Sequence, residues 1–419
     1  MSEETVSRAG ARGKAAAVAG QTGPGSEGAA AEAKRAGGAA VLEGEGVAHA
    51  GAKGEGAAAV AAEPAASPPG GEARQPGASR RRSIREGRRA RQRRRAIVTA
   101  ILLAAVVALY VVSVTCGSTF YGLPVVWDVI RGEDIPGATY AVGEIRLPRA
   151  SLALFAGLAF GAGGITFQTM LRNQLASPDI IGISAGASAT GVIGILMLHM
   201  DDGDVSLMAL AGALATAMAI YFLSYRKGFA GTRLILVGIG VAAILNSVVT
   251  YVVSKAAMWD LVVANRWLTG SLHHASWERL APLALACALL LPFMVVQSRN
   301  LNIMRFGDDS AMGLGVNVQF ARVSMIICAV GLVAMATSAC GPIAFVAFMA
   351  GPIAARVMGP GASLLIPSAM IGAILVMASD FAGQYFFGVR YPVGVITGVL
   401  GAPYLIYLLI RSNRSGSSL

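Results

Sequence analysis

Histidine, cysteine and charge are all scarce in this 419-residue chain, and each scarcity excludes something. The four histidines and four cysteines form no HExxH, CxxC or other metal-ligand spacing. Cys116, Cys287, Cys328 and Cys340 lie in or at the ends of apolar runs, so they read as small buried hydrophobes rather than disulfide partners. There is no GxxxxGK[ST] phosphate loop, so the chain carries no visible means of hydrolysing ATP. Charged residues are 14% of the total, against roughly 25% in soluble domains. Essentially no carboxylate or histidine falls inside an apolar run. Ion-coupled carriers keep such groups there because a charge in the bilayer is costly, which makes an ion-coupled secondary transporter the weaker alternative.

What is abundant is hydrophobicity: 55% of residues are hydrophobic and the mean hydropathy is +0.62. The composition is that of a polytopic membrane protein. Apolar runs at 96–115, 150–171, 180–198, 205–225, 234–254, 280–296, 321–340, 343–357, 362–379 and 393–410 predict an all-α helical bundle with about ten transmembrane helices. Pro352 interrupts the run at 343–357. Small residues at helix-packing spacing (Gly157 and Gly161, Gly182 and Gly186, Gly394 and Gly398) predict close helix contacts.

The net charge of +11 is unevenly placed: residues 80–95 hold ten arginines and one glutamate, leaving about +2 elsewhere. An arginine block beside the first span is an orientation signal that puts the N-terminus in the cytoplasm, and an even number of spans returns the C-terminus there. Attraction to anionic lipid is its secondary use, and nucleic acid is not an expected partner. Residues 1–79, rich in Ala, Gly, Glu and Pro, read as a disordered low-complexity extension. Residues 80–95 follow as a cytoplasmic juxtamembrane segment, 96–411 as the transmembrane domain and 412–419 as a cytoplasmic tail. The first apolar run begins at Ala96, too late for a cleaved leader. Arg172, Arg226, Lys227, Arg233, Arg299, Arg305, Arg356, Arg411 and Arg414 then fall inside, although Arg131, Arg146, Arg149, Lys255, Arg266, Arg279 and Arg390 fall outside. Orientation therefore rests on the arginine block.

Between two apolar runs lies a polar, glycine-punctuated island: Gly307, Asp308, Asp309, Ser310, Ala311, Met312, Gly313, Leu314, Gly315 and Val316. The acids and serine suit a helix start, and Gly313 and Gly315 let a short helix stop and turn back. It reads as a docking loop for a partner.

Other segments join it in a familiar order. The stretch from Ala141 through Arg146, Leu147, Pro148 and Arg149 is followed by Leu171-Arg172-Asn173-Gln174-Leu175-Ala176-Ser177-Pro178-Asp179 and by Gly182-Ile183-Ser184-Ala185-Gly186. Next come Trp267-Leu268-Thr269-Gly270-Ser271, the 307–316 island, Gly341-Pro342-Ile343-Ala344-Phe345-Val346, Pro392-Val393-Gly394 with Thr397-Gly398, and Gly401-Ala402-Pro403. Over roughly residues 97–411 this resembles the FecCD-type permeases of ABC importers for ferric siderophores, haem and vitamin B12.

The resemblance implies an all-helical permease subunit of the cell membrane, paired with a second copy or a paralogue. Two ABC ATP-binding subunits would sit beneath it and an extracytoplasmic solute-binding protein above. ATP and magnesium would belong to those ATPases, with no cofactor, metal or catalytic residue in this chain. The implied cargo is an iron(III)-siderophore complex, with cobalamin or haem as the alternative. Residues 307–316 match the loop that couples to the ATPase, and Arg146 and Arg149 match the arginines that meet acidic residues of the binding protein. The chain departs from the family pattern in three places. Gln384 follows Asp380 where arginine is common, Arg390 precedes Pro-Val-Gly where an acid is common, and Ile353 replaces a histidine. Arg390 is accordingly added to the docking arginines.

Overall fold

The computed structural model describes residues 76–225 and 231–414; the expectations for the extension before Pro76, for Arg226 and Lys227, and for residues 415–419 lie outside them. The described residues are helical and contain no strand. In chain order the helices are α1 (Pro76–Thr115), α2 (Leu123–Ile130), a π-helical segment Thr139–Arg146 running into α3 (Leu147–Met170), α4 (Pro178–Ile181), α5 (Ile183–Leu196), α6 (Asp202–Ser224) and α7 (Gly231–Lys255). Then follow α8 (Met258–Leu268), α9 (Trp277–Met304), α10 (Asp308–Gly313), α11 (Val318–Cys340), α12 (Val346–Met358), α13 (Leu365–Tyr385) and α14 (Val393–Arg414).

Eight of these helices are long and apolar enough to cross a membrane, and two shorter ones, Ile183–Leu196 and Val346–Met358, complete the ten expected spans. Their shortness has a local cause. Gly182, at φ 97°, takes the left-handed conformation and separates the single turn α4 from α5. The stretch from Gly341 to Phe345, with positive φ at both ends, separates α11 from α12. Residues 80–95 are helical and wind continuously into the first span as part of one 40-residue helix, arginine being a good helix former.

Around α3 the bundle is densest, 83% of its span window being buried. Gly157 and Gly161 lie against the backbone of α13 at Gly372, Ala373 and Ser368, and Gly164 lies against Ala347 of α12. With no side chain at those positions, helix axes come close enough for backbone-to-backbone contact. The other glycine pairs divide: Gly186 packs on Gly212 and Thr216 of α6, and Gly394 on Thr269. Gly182 serves as the helix break, while Gly398 faces open space. Helices α1 and α7, at 11% buried, face outward.

Contacts sort the connections into two ends. At the arginine end, Arg95 donates to the carbonyl of Pro360 and Arg172 pairs with Asp308. At the far end, Tyr385 donates to the carbonyl of Cys116, Trp277 to that of Gly143, and His274 pairs with Asp202. From the far end the chain also turns inward. After α8, Gly270 at φ 74° lies on the carbonyl of Pro342, Ser271 N–H donates to Cys340 O at 2.8 Å, and Gly394 N–H to Gly270 O at 3.2 Å.

Candidate functional site

At the arginine end, α10 is a single short helix of six residues held by its own small core. Gly307 at φ 115° and Gly315 at φ 79° make the turns into and out of it. Ala311 is fully buried against Met304, Val316, Val318 and Ala321. Asp308 and Asp309 occupy the first turn, where their charge suits the positive end of the helix, although neither supplies a cap and Gly307 is the capping residue.

Asp308 also does something the sequence does not reveal. Its Oδ1 accepts from Arg172 Nη2 at 2.9 Å and its Oδ2 from Arg322 Nη2 at 2.7 Å. Arg172 belongs to the turn after α3, where it sits at φ 51°, and it also donates to the Met304 carbonyl. One carboxylate therefore ties α10 to the end of the most buried span and to the start of α11. The side chains facing away are apolar: Phe306 is 79% exposed, Leu314 69%, Phe320 59% and Met312 57%. Asp309, Ser310 and Gly313 are exposed beside them, and nothing lies within 4 Å of a Cβ built on Gly313. A clasped stub with an apolar outer face is suited to resting in a cleft of another protein.

Two cavities lie inward of this loop. One of about 220 Å³, next to the clasp, is lined by Gln168, Thr169, Arg172, Asn173 and Arg305 among others. The other, about 380 Å³, lies where both broken spans meet α7 and α14, with Asp179, Ser184, Ser188, Asn246 and Phe345 on its wall. Asp179 is committed there, accepting from the hydroxyls of Ser177 and Ser184.

At the far end the three arginines named from the sequence differ in their surroundings. Arg146 donates to the carbonyls of Val114, Thr115 and Thr119 and lies over the Tyr121 ring, so it staples the end of α1 to the start of α3. The π-helical turn that carries it has a cause in Pro148, which has no N–H to donate and crowds the preceding turn. Arg149 is turned inward onto Asp380, with Nη2 to Oδ1 at 2.8 Å and Nε to Oδ2 at 3.0 Å. Gln384 completes the arrangement by donating to Asp380 Oδ2 at 2.7 Å. Arg390 is exposed.

A second charged group lies on this rim. Asp202 at the start of α6 accepts from Arg279 Nη2 at 2.9 Å and meets His274 Nδ1 at 2.7 Å. Beside it, burial and then the positive neighbours His274, Arg266, Arg149 and Arg390 push the His273 imidazole below its ordinary proton affinity. The loop-charge pattern marked Arg279 as an outward-facing residue, but nothing in it brings that arginine to Asp202.

A model of the FecCD transport family matches residues 102–411. The ferric enterobactin transport system permease protein FepG of Escherichia coli (strain K12) is 36% identical over 319 residues, covering 76% of this chain and 97% of the relative. The achromobactin transport system permease protein CbrC of Dickeya dadantii (strain 3937) is 36% identical over 337 residues, 79% of this chain and 96% of the relative. The iron(3+)-hydroxamate import system permease protein FhuG of Bacillus subtilis (strain 168) is 36% identical over 327 residues, 76% and 97% respectively. Among solved structures, a metal-chelate type ABC transporter in an inward-facing conformation shares the fold, with a TM-score of 0.66 at 23% identity over 75% of this chain and 99% of that chain.

Proposed function

This chain belongs to the FecCD transport family, and on that premise we propose that it is the membrane-spanning permease of an ABC importer carrying an iron(III)-siderophore complex into the cytoplasm. ATP is hydrolysed on separate subunits. The observation that carries this reading is the clasped loop α10, whose apolar outer face is exposed while Asp308 fastens it to α3 and α11. The relatives named above, whose names specify ferric enterobactin, achromobactin and iron(3+)-hydroxamate, favour a ferric siderophore over cobalamin or haem.

In this reading the arginine end is cytoplasmic, both termini lie on that side, and the protein is a multi-pass component of the inner membrane. The loaded solute-binding protein docks on the far end, steered by Arg390 and by the neighbourhood of Arg146 and Arg149. Such contacts set encounter and register more than affinity. ATP-driven closure of the ATPase dimer moves residues 307–316, and Asp308 passes that displacement to Arg172 and Arg322. The spans then exchange outward for inward access around a pathway shared with a second permease copy or a paralogue. No covalent step occurs in this chain.

Uptake of labelled ferric siderophore and labelled cobalamin, in iron-starved cells with and without the chain, tests the reading. Loss of the siderophore signal alone supports it. Loss of the cobalamin signal alone keeps the architecture and replaces the cargo, and uptake that persists for both after ATPase depletion overturns the coupling.

A further inference from the structure

Between α5, α8, α9 and α11 the far rim encloses a cleft of about 70 Å³, walled in part by Arg266, Trp267, Ser271, His273, His274 and Arg279. Its charges do not cancel. Asp202 is the one carboxylate on the wall, and it is already engaged by Arg279 and His274. Arg266 is exposed, and among the described residues no carboxylate pairs with it. Arg390, close enough for its charge to be felt at His273, is likewise exposed. Asp380, the carboxylate that Arg149 meets, is neutralised by that ion pair.

The remaining wall has a definite chemistry. Ser271 contributes a hydroxyl, Trp267 a half-buried indole, and Cys340 closes the cleft from within the bundle. A guanidinium fork matches a carboxylate or a pair of phenolate oxygens, and an indole face accepts an aromatic ring. The volume suits one such group and is far too small for a whole chelate.

We propose that this cleft is an anion subsite on the entry path, receiving a negatively charged oxygen group of the cargo, so that chelates of net negative charge are favoured over neutral ones. The proposal rests on the importer reading above and narrows its substrate class. Three catecholates, each doubly deprotonated, leave a ferric complex triply negative, whereas three hydroxamates, each singly deprotonated, leave it neutral. The first kind is the expected cargo. Burial first, and only then the charges of His274, Arg266, Arg149 and Arg390, lowers the proton affinity of His273.

The test uses the full chain in nanodiscs of uncharged lipid, with radiolabelled iron(III) held by a hexadentate tris-catecholate or tris-hydroxamate ligand, read by equilibrium dialysis. The tris-catecholate complex should bind at least about tenfold more tightly at low salt, and the gap should close as salt is raised. Arg266→Gln should narrow the gap and Arg266→Glu abolish it, with expression unchanged because the side chain is exposed. Equal binding of the two chelates by the unaltered chain, or an undiminished preference in the Arg266→Glu variant, overturns the proposal. So does a variant that loses only its capture of an acidic binding-protein surface, which would make the cleft a docking contact. Uptake by the reconstituted complex is scored separately. An unaltered complex that prefers the anionic chelate yet transports neither overturns the importer reading and leaves the subsite standing.

Discussion

Arg149 of α3 and Asp380 of α13 form a two-toothed ion pair, 231 residues apart in the chain, with Asp380 only 7% exposed. Gln384 is the third group at Asp380, a neutral donor beside the charge that Arg149 supplies. Removing the arginine leaves a buried carboxylate unpaired, a cost of about 3–5 kcal/mol. Arg149→Ala should therefore lower the unfolding temperature of the purified protein, and Asp380→Asn in the same background should recover part of the loss. An unchanged melting temperature in Arg149→Ala would assign that arginine to partner contact alone.

The clasp at Asp308 makes the opposite forecast. Its carboxylate is 41% exposed, and exposed pairs contribute only about 0.2–1 kcal/mol each. Asp308→Asn should insert and fold normally while moving less cargo per ATP hydrolysed in reconstituted complexes. A normal ratio of transport to hydrolysis would show that force reaches the spans by another route.

Gly313 and Ala311, two residues apart, should respond differently to bulk. Gly313 faces open space, so Gly313→Trp is expected to leave the isolated permease intact and reduce recovery of the ATPase on co-purification. Ala311 is fully buried, so Ala311→Trp should disrupt the loop itself and show in proteolysis of residues 305–317 even without a partner. Identical behaviour of the two variants would contradict the assignment of an inner and an outer face.

Among the glycines, Gly164 and Gly398 form a matched comparison. A methyl group on Gly164 meets the backbone of Ala347, and overpacking of this kind costs about 1–3 kcal/mol. Gly398→Ala meets nothing and should be neutral or stabilising by about 0.5–1 kcal/mol through helix propensity. Thermal unfolding of the two single variants separates them.

His273 gives a pH dependence of defined sign. Its folded proton affinity lies below the ordinary value of 6.5, so below that pH the unfolded chain binds the proton more readily. Stability should fall as pH drops from 6.5 through the folded value, and His273→Gln should flatten that part of the curve. A steeper loss in the variant would reverse the sign.

The positions of all ten apolar helices could be read from hydropathy, because a bilayer imposes an apolar surface on every crossing. The helix α8 could not: Met258–Leu268 carries Asp260, Asn265 and Arg266 among its apolar residues, too few and too mixed to stand out from a loop. The 307–316 island was visible as a polar interruption, yet the clasp was hidden because Arg172 lies 136 residues from Asp308. Arg149 could be picked out as an arginine at a membrane boundary, but whether it points to a partner or to Asp380 depends on how α3 and α13 are rotated against each other. Gly157 and Gly161 fix that rotation, and only the packed pair of helices reveals it.

The backbone junction at Gly270 also limits how the far end can move. Main-chain hydrogen bonds join this one short stretch to the last residue of α11 and to the second residue of α14, and Gly270 itself rests on Pro342. None of these links involves a side chain that could change rotamer and let go. Displacing any one of these three segments therefore pulls on the main chain of the other two, so they are expected to move as one piece or not at all.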